Sequence, residues 1–196
     1  MESIHVKLNE VVLRDGLQLE DKILSIEEKL EIYAALKKAG IQSFEFGAFV
    51  HPKRVPQMAN SGEFFSRIEK DKAEASLIAL IPNLKGAERA REAGVQTVNY
   101  VLSISDSHNL QNVQQPTAKS LEDLKEIRWY CGKNGMVLNV SCATTFGCPF
   151  EGGDSGRAGA RNPWGNCAAG YSADHAGGHD RHGPSETSAW IDEANP

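Results

Sequence analysis

An arginine, an aspartate and a glutamine lie within one short stretch near the start of the chain, Arg14-Asp15-Gly16-Leu17-Gln18. Arginine keeps its charge and holds its donors in one plane, which suits it to stabilise a developing oxyanion. Aspartate suits a hard divalent cation such as Mg2+ or Mn2+. Gly16 allows the tight backbone turn that brings these side chains together. Taken alone, the stretch is better explained as an exposed Arg–Asp pair on a loop, so its context decides the interpretation.

Two later stretches also place polar residues where apolar segments end. Residues 44–58 read F-E-F-G-A-F-V-H-P-K-R-V-P-Q-M, and residues 146–152 read F-G-C-P-F-E-G. Burying a charge is costly unless the charge is used or paired. For Glu45 this favours a functional role, although a carboxylate that pairs with a neighbouring lysine or arginine is the simpler alternative.

The elements that must position these residues alternate between apolar strands and amphipathic helices. Ser25 and Glu28 form an S-x-x-E capping box at the start of the first helix, and Gly40 follows its end. Strands are predicted at residues 6–13, 43–46, 75–81, 97–104 and 136–143, and helices at residues 25–39, 63–70, 84–93 and 121–134.

Strands separated by crossover helices indicate a parallel sheet, because parallel neighbours need long connections. An open doubly wound sheet and a (βα)8 barrel both fit this order. No G-x-G-x-x-G motif follows the first strand, which weakens the dinucleotide-binding version. The polar residues cluster after strand carboxyl ends, where barrel enzymes place their chemistry. We therefore predict an α/β fold, a (βα)8 TIM barrel truncated to about five βα units.

The three polar stretches, in this order and spacing, resemble the hydroxymethylglutaryl-CoA lyase family, within the metal-dependent lyases and Claisen-type synthases built on a (βα)8 barrel. The motifs that carry the resemblance are R-D-G-L-Q, a glutamate followed by F-V-x-P-K-x-V-P-Q-M, and G-C-P-[FY]-E-G, over residues 5–152. R-D-G is shared across the superfamily, whereas the middle motif is much more specific to the lyase branch. This chain departs from the family at Gly47-Ala48, where lyases usually carry small hydroxyl residues, and Thr144 and Thr145 lengthen the approach to the last motif.

The resemblance implies a role for each polar residue. Asp15 becomes a ligand of a divalent metal, Mg2+ or Mn2+, and Arg14 a substrate-binding and catalytic residue that stabilises the enolate formed on carbon–carbon cleavage. Gln18 and Glu45 become polar residues of the inner site, with Glu45 assisting proton transfer or orienting the substrate. Lys53 becomes a substrate-binding residue that attracts an acyl-CoA phosphate or a carboxylate, although solvated loop charge explains it equally well.

The implied function is an acyl-CoA lyase that cleaves 3-hydroxy-3-methylglutaryl-CoA to acetoacetate and acetyl-CoA by metal-assisted retro-Claisen chemistry. One alternative is a related synthase of the isopropylmalate or citramalate type, which shares R-D-G but is expected to lack the middle motif. Another is a non-catalytic barrel fragment that binds a partner through its open sheet edge.

Residues 153–196 differ in composition from residues 1–152 and are predicted to form a separate Gly/Ala-rich tail. Ile191 is the only Leu, Ile, Val, Met or Phe in this tail, so the tail buries too little apolar area to offset its ordering entropy. The H-x-H motif of the family's seventh strand is missing, and codons allowed for residues 177–183 spell A-D-T-T-G-M-A in a shifted frame. We therefore expect the tail to be disordered or out of frame, and the activity of this chain to be impaired.

The composition limits which classes of binding partner are expected. Lys and Arg total 21 against 26 Asp and Glu, a net charge of -5, which argues against a nucleic-acid or basic membrane surface. No apolar stretch approaches the roughly 18 residues of a bilayer span, and the amino terminus lacks signal-peptide features. We expect a cytoplasmic protein that binds an acyl-CoA substrate and no nucleic acid or membrane, and that forms a homodimer when full-length.

Overall fold

The computed structural model describes residues 6–152, 168–170 and 186–190 of the chain. The strands among these residues are β1 (Ser43–Ala48), β2 (Ser76–Ile81), β3 (Thr97–Ser103), β4 (Val137–Ala143), β5 (Ala168–Gly170) and β6 (Glu186–Trp190). The α-helices are α1 (Ile26–Lys38), α2 (Ser61–Ile68), α3 (Leu84–Glu92), α4 (Asp106–Val113) and α5 (Thr117–Lys133). A π-helical turn covers Val12–Gly16, and 3-10 turns cover Pro56–Met58 and Glu69–Ala73.

The strands form a sheet in the order β1-β2-β3-β4-β6-β5, in which the first four are parallel. β1 pairs with β2 from Ser43 opposite Ser76 onward, and the register shifts between Glu45 and Gly47. All six residues of β1 are buried, as expected for a parallel strand covered on both faces. Parallel strands alternating with helices confirm the predicted α/β class.

The described residues divide into two compact units, one of residues 6–98 and 130–137 and the other of the remaining residues. The core of the first unit is aromatic. Tyr33 of α1 packs on Phe44 with ring centroids 4.8 Å apart, and Phe46 stacks on Phe65 of α2 at 5.1 Å. These contacts hold α1 and α2 against β1, and both centroid distances lie in the range that is favourable for aromatic pairs.

The predicted strand at residues 6–13 is wrong. Val6 and Leu8 are 78% and 67% exposed, and only Glu10 forms a bridge to β1, opposite Phe44. After Glu10 the backbone turns into Val12–Gly16, which removes the following residues from the ladder. The apolar pattern indicated burial, but burial of a strand requires neighbours on its flanks, and in the part of the chain that is described Glu10 bridges β1 alone.

The other predicted elements are confirmed, with ends shifted by a few residues. The capping box is formed as expected, since Glu28 N donates to Ser25 Oγ at 3.2 Å and Ser25 N donates to Glu28 Oε2 at 2.8 Å. Gly40 follows α1 with a φ of +93°, in the left-handed region that glycine tolerates. One helix, α4, was not predicted, because its residues are mostly polar and show no clear apolar stripe.

Most of the tail at 153–196 lies outside the described residues, so its predicted disorder and shifted frame stay predictions. The two segments of it that are described are β5 and β6, of which β6 pairs antiparallel with β4. Within the described residues, no helix is both long and apolar enough to cross a membrane.

Candidate functional site

The π-helical turn at Val12–Gly16 carries Arg14 and Asp15. Val12 N donates to Glu10 Oε1 at 2.8 Å, which fixes the start of the turn. A Cβ on Gly16 would lie 2.9 Å from Val12 Cγ2, so a side chain at this position would crowd the turn. A glycine is therefore needed at residue 16 because there is no space for a side chain. Its backbone is not in the left-handed region, so the conformational role predicted for Gly16 is not the reason.

Three of the predicted site residues lie together. Arg14 donates to Glu45 Oε2 from Nε at 3.0 Å and from Nη2 at 2.7 Å, and its Nη1 pairs with Asp15 Oδ1. The side chains of Arg14, Glu45 and Asp15 are 12%, 3% and 28% exposed. Buried charges of this kind persist when they are paired and hydrogen-bonded. We call these three residues the Arg14 cluster.

The Arg14 cluster contains one cation and two carboxylates, so its formal charge is -1 when all three groups are ionised. Asp15 is its most exposed member, and a cation would be attracted there. The described residues contain no group of three or more His, Cys, Asp or Glu that could hold a metal. Mg2+ requires several well-placed oxygen ligands, so the described residues alone do not fit a complete metal site, and Asp15 offers one ligand.

The other two predicted site residues are not part of the Arg14 cluster. Gln18 is half-buried and follows the π-helical turn, and Lys53 is exposed after β1. The backbone N–H of Lys53 donates to His51 Nδ1 at 3.2 Å, and Arg54 N donates to His51 O at 2.8 Å. Lys53 thus lies in a tight, solvent-facing turn.

A buried hydroxyl from α2 lies beside Gly47, where this chain departs from the family. A Cβ on Gly47 would lie 2.6 Å from Ser61 Oγ. Ser61 is 2% exposed, accepts a hydrogen bond from Ala48 N at 3.2 Å and donates one to Met58 O at 2.8 Å. The Ser61 hydroxyl thus fills the space beside Gly47 and bonds the backbone there, so a side chain at residue 47 would require Ser61 to shift.

One buried lysine was not predicted from the sequence. Lys29 of α1 is 1% exposed, and its Nζ donates to Gln57 O at 2.7 Å and to Asn60 Oδ1 at 2.6 Å. Burial lowers the pKa of Lys29. The available signal was spacing, because Lys29 lies three residues after Ile26 and four before Tyr33, on the helix face that both bury.

The second compact unit has its own polar contacts. His108 lies in α4, with its Nδ1 2.6 Å from Ser103 Oγ. Cys148 is 5% exposed and its Sγ lies 2.9 Å from Ser105 Oγ, in keeping with the structural role of a buried thiol.

At the end of the G-C-P-F-E-G stretch, the backbone N–H of Ser107 donates to Glu151 Oε1 at 2.9 Å and lowers the pKa of Glu151. This contact fixes the end of the motif to the start of α4.

The HMGL-like family profile matches residues 5–152. Hydroxymethylglutaryl-CoA lyase of Bacillus subtilis is 33% identical over 146 residues, which cover 74% of this chain and 48% of that protein. (R)-citramalyl-CoA lyase of Chloroflexus aurantiacus is 35% identical over 156 residues, with 75% and 49% covered. The chain therefore spans about half the length of these curated relatives.

Solved structures show the same likeness. Hydroxymethylglutaryl-CoA lyase of Pseudomonas aeruginosa superposes with a TM-score of 0.74 at 34% identity, over 80% of this chain and 52% of that one. An HMG-CoA lyase of Acinetobacter baumannii in complex with coenzyme A and 3-methylmalate superposes with a TM-score of 0.71 at 40% identity. The match covers 79% of this chain and 50% of that one. These neighbours confirm the predicted partial TIM barrel. With its motifs inside the matched residues, the chain belongs to the HMGL-like family.

Proposed function

We propose that the protein is a carbon–carbon lyase that cleaves 3-hydroxy-3-methylglutaryl-CoA to acetoacetate and acetyl-CoA. The observation that carries this proposal is the Arg14 cluster, in which a largely buried guanidinium is held in a fixed plane by the carboxylate of Glu45. Support also comes from the lyases among its relatives and from a structural neighbour that holds coenzyme A.

The proposed reaction is a retro-Claisen cleavage. A base removes the proton of the substrate's 3-hydroxyl group, the C2–C3 bond breaks, and C3 becomes the ketone of acetoacetate. The electron pair of the broken bond passes to the thioester enolate, which takes a proton at C2 to give acetyl-CoA. The group that most needs stabilisation is the enolate oxygen, where negative charge develops.

Arg14 is the residue we assign to that oxygen. Its guanidinium is charged at every relevant pH, and the two hydrogen bonds to Glu45 Oε2 fix its plane before the substrate arrives. Donors that are fixed in advance need no reorganisation as charge develops. The two roles expected for Glu45 were proton transfer and orientation of the substrate. We assign it instead to orienting the Arg14 guanidinium, because its Oε2 accepts two hydrogen bonds from Arg14.

Asp15 would supply one ligand of a divalent cation, Mg2+ or Mn2+, and the described residues do not complete such a site. When bound, such a cation polarises oxygen atoms of the substrate as a Lewis acid. The negative formal charge of the Arg14 cluster and the exposure of Asp15 support this assignment. No step of the proposal depends on where the cation lies.

The acyl-CoA itself is assigned to Gln18 and Lys53. Lys53 is exposed on the segment after β1, where an ammonium group can meet a phosphate of coenzyme A. Gln18 lies near the turn that carries Arg14 and offers both a donor and an acceptor. For the full-length protein we keep the homodimer and the cytoplasmic location as proposals.

The test is formation of acetoacetate from 3-hydroxy-3-methylglutaryl-CoA, with and without Mg2+ or Mn2+. It compares the 196-residue chain with a chimera in which the carboxyl-terminal half of the Bacillus subtilis relative replaces residues 153–196. We expect the chimera to be active and Arg14→Gln in the chimera to lower kcat about a thousandfold.

Circular dichroism controls for folding of the chimera. A folded chimera that forms no acetoacetate would contradict the proposal. Faster cleavage of (R)-citramalyl-CoA would keep the lyase chemistry and change the substrate, and a condensation reaction alone would favour the synthase.

A further inference from the structure

Lys29 is a buried cation that the proposed mechanism does not use. It lies on α1 at 1% exposure, and its described hydrogen bonds, to Gln57 O and Asn60 Oδ1, go to neutral oxygens. Moving an ammonium group out of water is costly, and an apolar side chain would pack on this face of α1 without that cost. The charge therefore has to be explained by what it contacts.

Both acceptors of Lys29 belong to the segment of residues 51–60, which we call the 51–60 loop. This loop follows β1, which carries Glu45, and it also contains Lys53. Lys29 contacts it near its end, through one backbone carbonyl and one side-chain carbonyl. Lys29 thus connects α1 to the loop that the proposed function assigns to the acyl-CoA.

The same two loop residues reach the segment that follows the Arg14 turn. Gln57 Nε2 donates to Glu20 O at 2.8 Å, and Asn60 Nδ2 donates to Leu24 O at 3.3 Å. Each residue therefore receives a hydrogen bond from Lys29 and donates another to residues 20–24. Loss of Lys29 would leave both oxygens without their buried donor, and a partly unsatisfied network is less stable than a complete one.

We propose that Lys29 is a positioning residue for substrate binding, because its ammonium group fixes the 51–60 loop against residues 20–24. This inference rests on the proposed function, in which the loop binds the acyl-CoA. Lys29 acts through Gln57 and Asn60 and does not touch the substrate. Its expected effect is on affinity for coenzyme A and on the opening of the loop, and not on the ion pairs of the Arg14 cluster.

The test compares three variants of the 196-residue chain with the parent. Lys29→Met removes the charge and keeps the length of the side chain. Asn60→Ala removes one acceptor at a half-buried position and serves if Lys29→Met folds poorly. Tyr33→Phe is the matched control, because it removes another buried hydrogen bond of α1, from Tyr33 Oη to Asp71 Oδ2 at 3.1 Å, without touching the loop.

Two readouts are measured, hydrogen exchange of backbone amides and binding of free coenzyme A by calorimetry. With Lys29→Met we expect exchange in the 51–60 loop to be about tenfold faster while β1 and β2 keep their protection. The dissociation constant for coenzyme A should rise about fivefold or more. Asn60→Ala should show smaller changes of the same kind, and Tyr33→Phe neither change.

Unchanged exchange in the 51–60 loop would overturn the proposal, and so would a uniform loss of protection in both Lys29→Met and Tyr33→Phe. A looser loop with unchanged affinity for coenzyme A would also overturn it, because Lys29 would then serve folding alone. A parent chain that binds no coenzyme A would contradict the loop's assignment to the acyl-CoA, and Lys29 would lose its role in substrate binding with it. Loop exchange would still show whether Lys29 orders the loop, so the two failures are distinguishable.

Discussion

Two largely buried cations of the first compact unit are stabilised in different ways. Arg14 lies between the carboxylates of Glu45 and Asp15, whereas Lys29 donates to neutral oxygens of Gln57 and Asn60. Carboxylates offset the desolvation of a cation by direct attraction, and neutral acceptors do so only in part. The lowered pKa of Lys29 reflects that difference. The comparison teaches that burial alone does not say how strongly a charge is held.

The largest effect is expected where opposite charges compensate each other. Arg14→Met leaves the carboxylate of Glu45 buried without its cation, so the free energy of unfolding should fall by about 3–5 kcal/mol. Urea unfolding of the 196-residue chain measures this change. The double variant Arg14→Met with Glu45→Leu should regain most of the loss, and a single variant that loses under about 1 kcal/mol would show that the pair is not desolvated.

The next effect is a loss of stability at alkaline pH that comes from Cys131. It has to be separated from the pH dependence of the two cations before those are compared. Burial raises the pKa of the Cys131 thiol from 9.0 to about 11. Between these values the unfolded chain has lost the proton and the folded chain keeps it, so stability falls as pH rises from 9.0 to about 11. The fall is about 2–3 kcal/mol, at 1.36 kcal/mol per unit.

Unfolding of Cys131→Ala should depend less on pH over this interval. Burial raises the pKa of Tyr33 and Tyr100 as well, so part of the loss remains above pH 10. An identical slope in the variant and the parent would contradict the assignment to Cys131.

A smaller effect is expected at Lys29. Lys29→Met removes the desolvation penalty together with the charge, but it leaves Gln57 O and Asn60 Oδ1 without a buried donor. The two changes oppose each other, so the free energy of unfolding should fall by only about 1–2 kcal/mol, measured by urea unfolding. If Lys29→Met lowered the free energy of unfolding as much as Arg14→Met does, charged and neutral partners would not differ in how they stabilise a buried cation.

The smallest expected effect is a difference between Lys29 and Arg14 in how stability depends on pH. The folded-state pKa of Lys29 lies below its ordinary value of 10.5, so the penalty on the charged form is relieved as pH rises through the folded pKa toward 10.5. In the Cys131→Ala background, the stability of the parent relative to Lys29→Met should therefore increase toward pH 10.5. The difference for Arg14→Met should stay flat, because arginine does not titrate there.

The parts of the fold set by local chemistry could be predicted from the sequence. Ser25 and Glu28 predicted the start of α1, because both partners of the capping box lie within one turn. The proximity of Glu45 to Arg14 was predicted from two neighbouring strands that end at one edge of a parallel sheet. The contact is present, but Arg14 reaches Glu45 from the π-helical turn and not from the end of a strand.

Other features depended on partners distant in sequence. The π-helical turn at Val12–Gly16 could not be predicted from an apolar run that suggested a strand. Lys29 was missed because a lysine in an amphipathic helix is ordinarily solvated. Its acceptors, Gln57 and Asn60, lie on a loop whose path no local pattern reveals.

The contact between Gly47 and Ser61 has a consequence for protein engineering. Ser61 already occupies the space of a Cβ on residue 47, so a serine or threonine introduced there would collide with it. Removing the Ser61 hydroxyl alone is not enough, because Ser61 Cβ would still lie 3.0 Å from a Cβ on residue 47. The substitution therefore requires Gly at residue 61 or a shift of α2, and the new hydroxyl would then need to reach Ala48 N itself. Residues 47 and 61 therefore share one space, and a substitution at either position has to be designed together with the residue at the other.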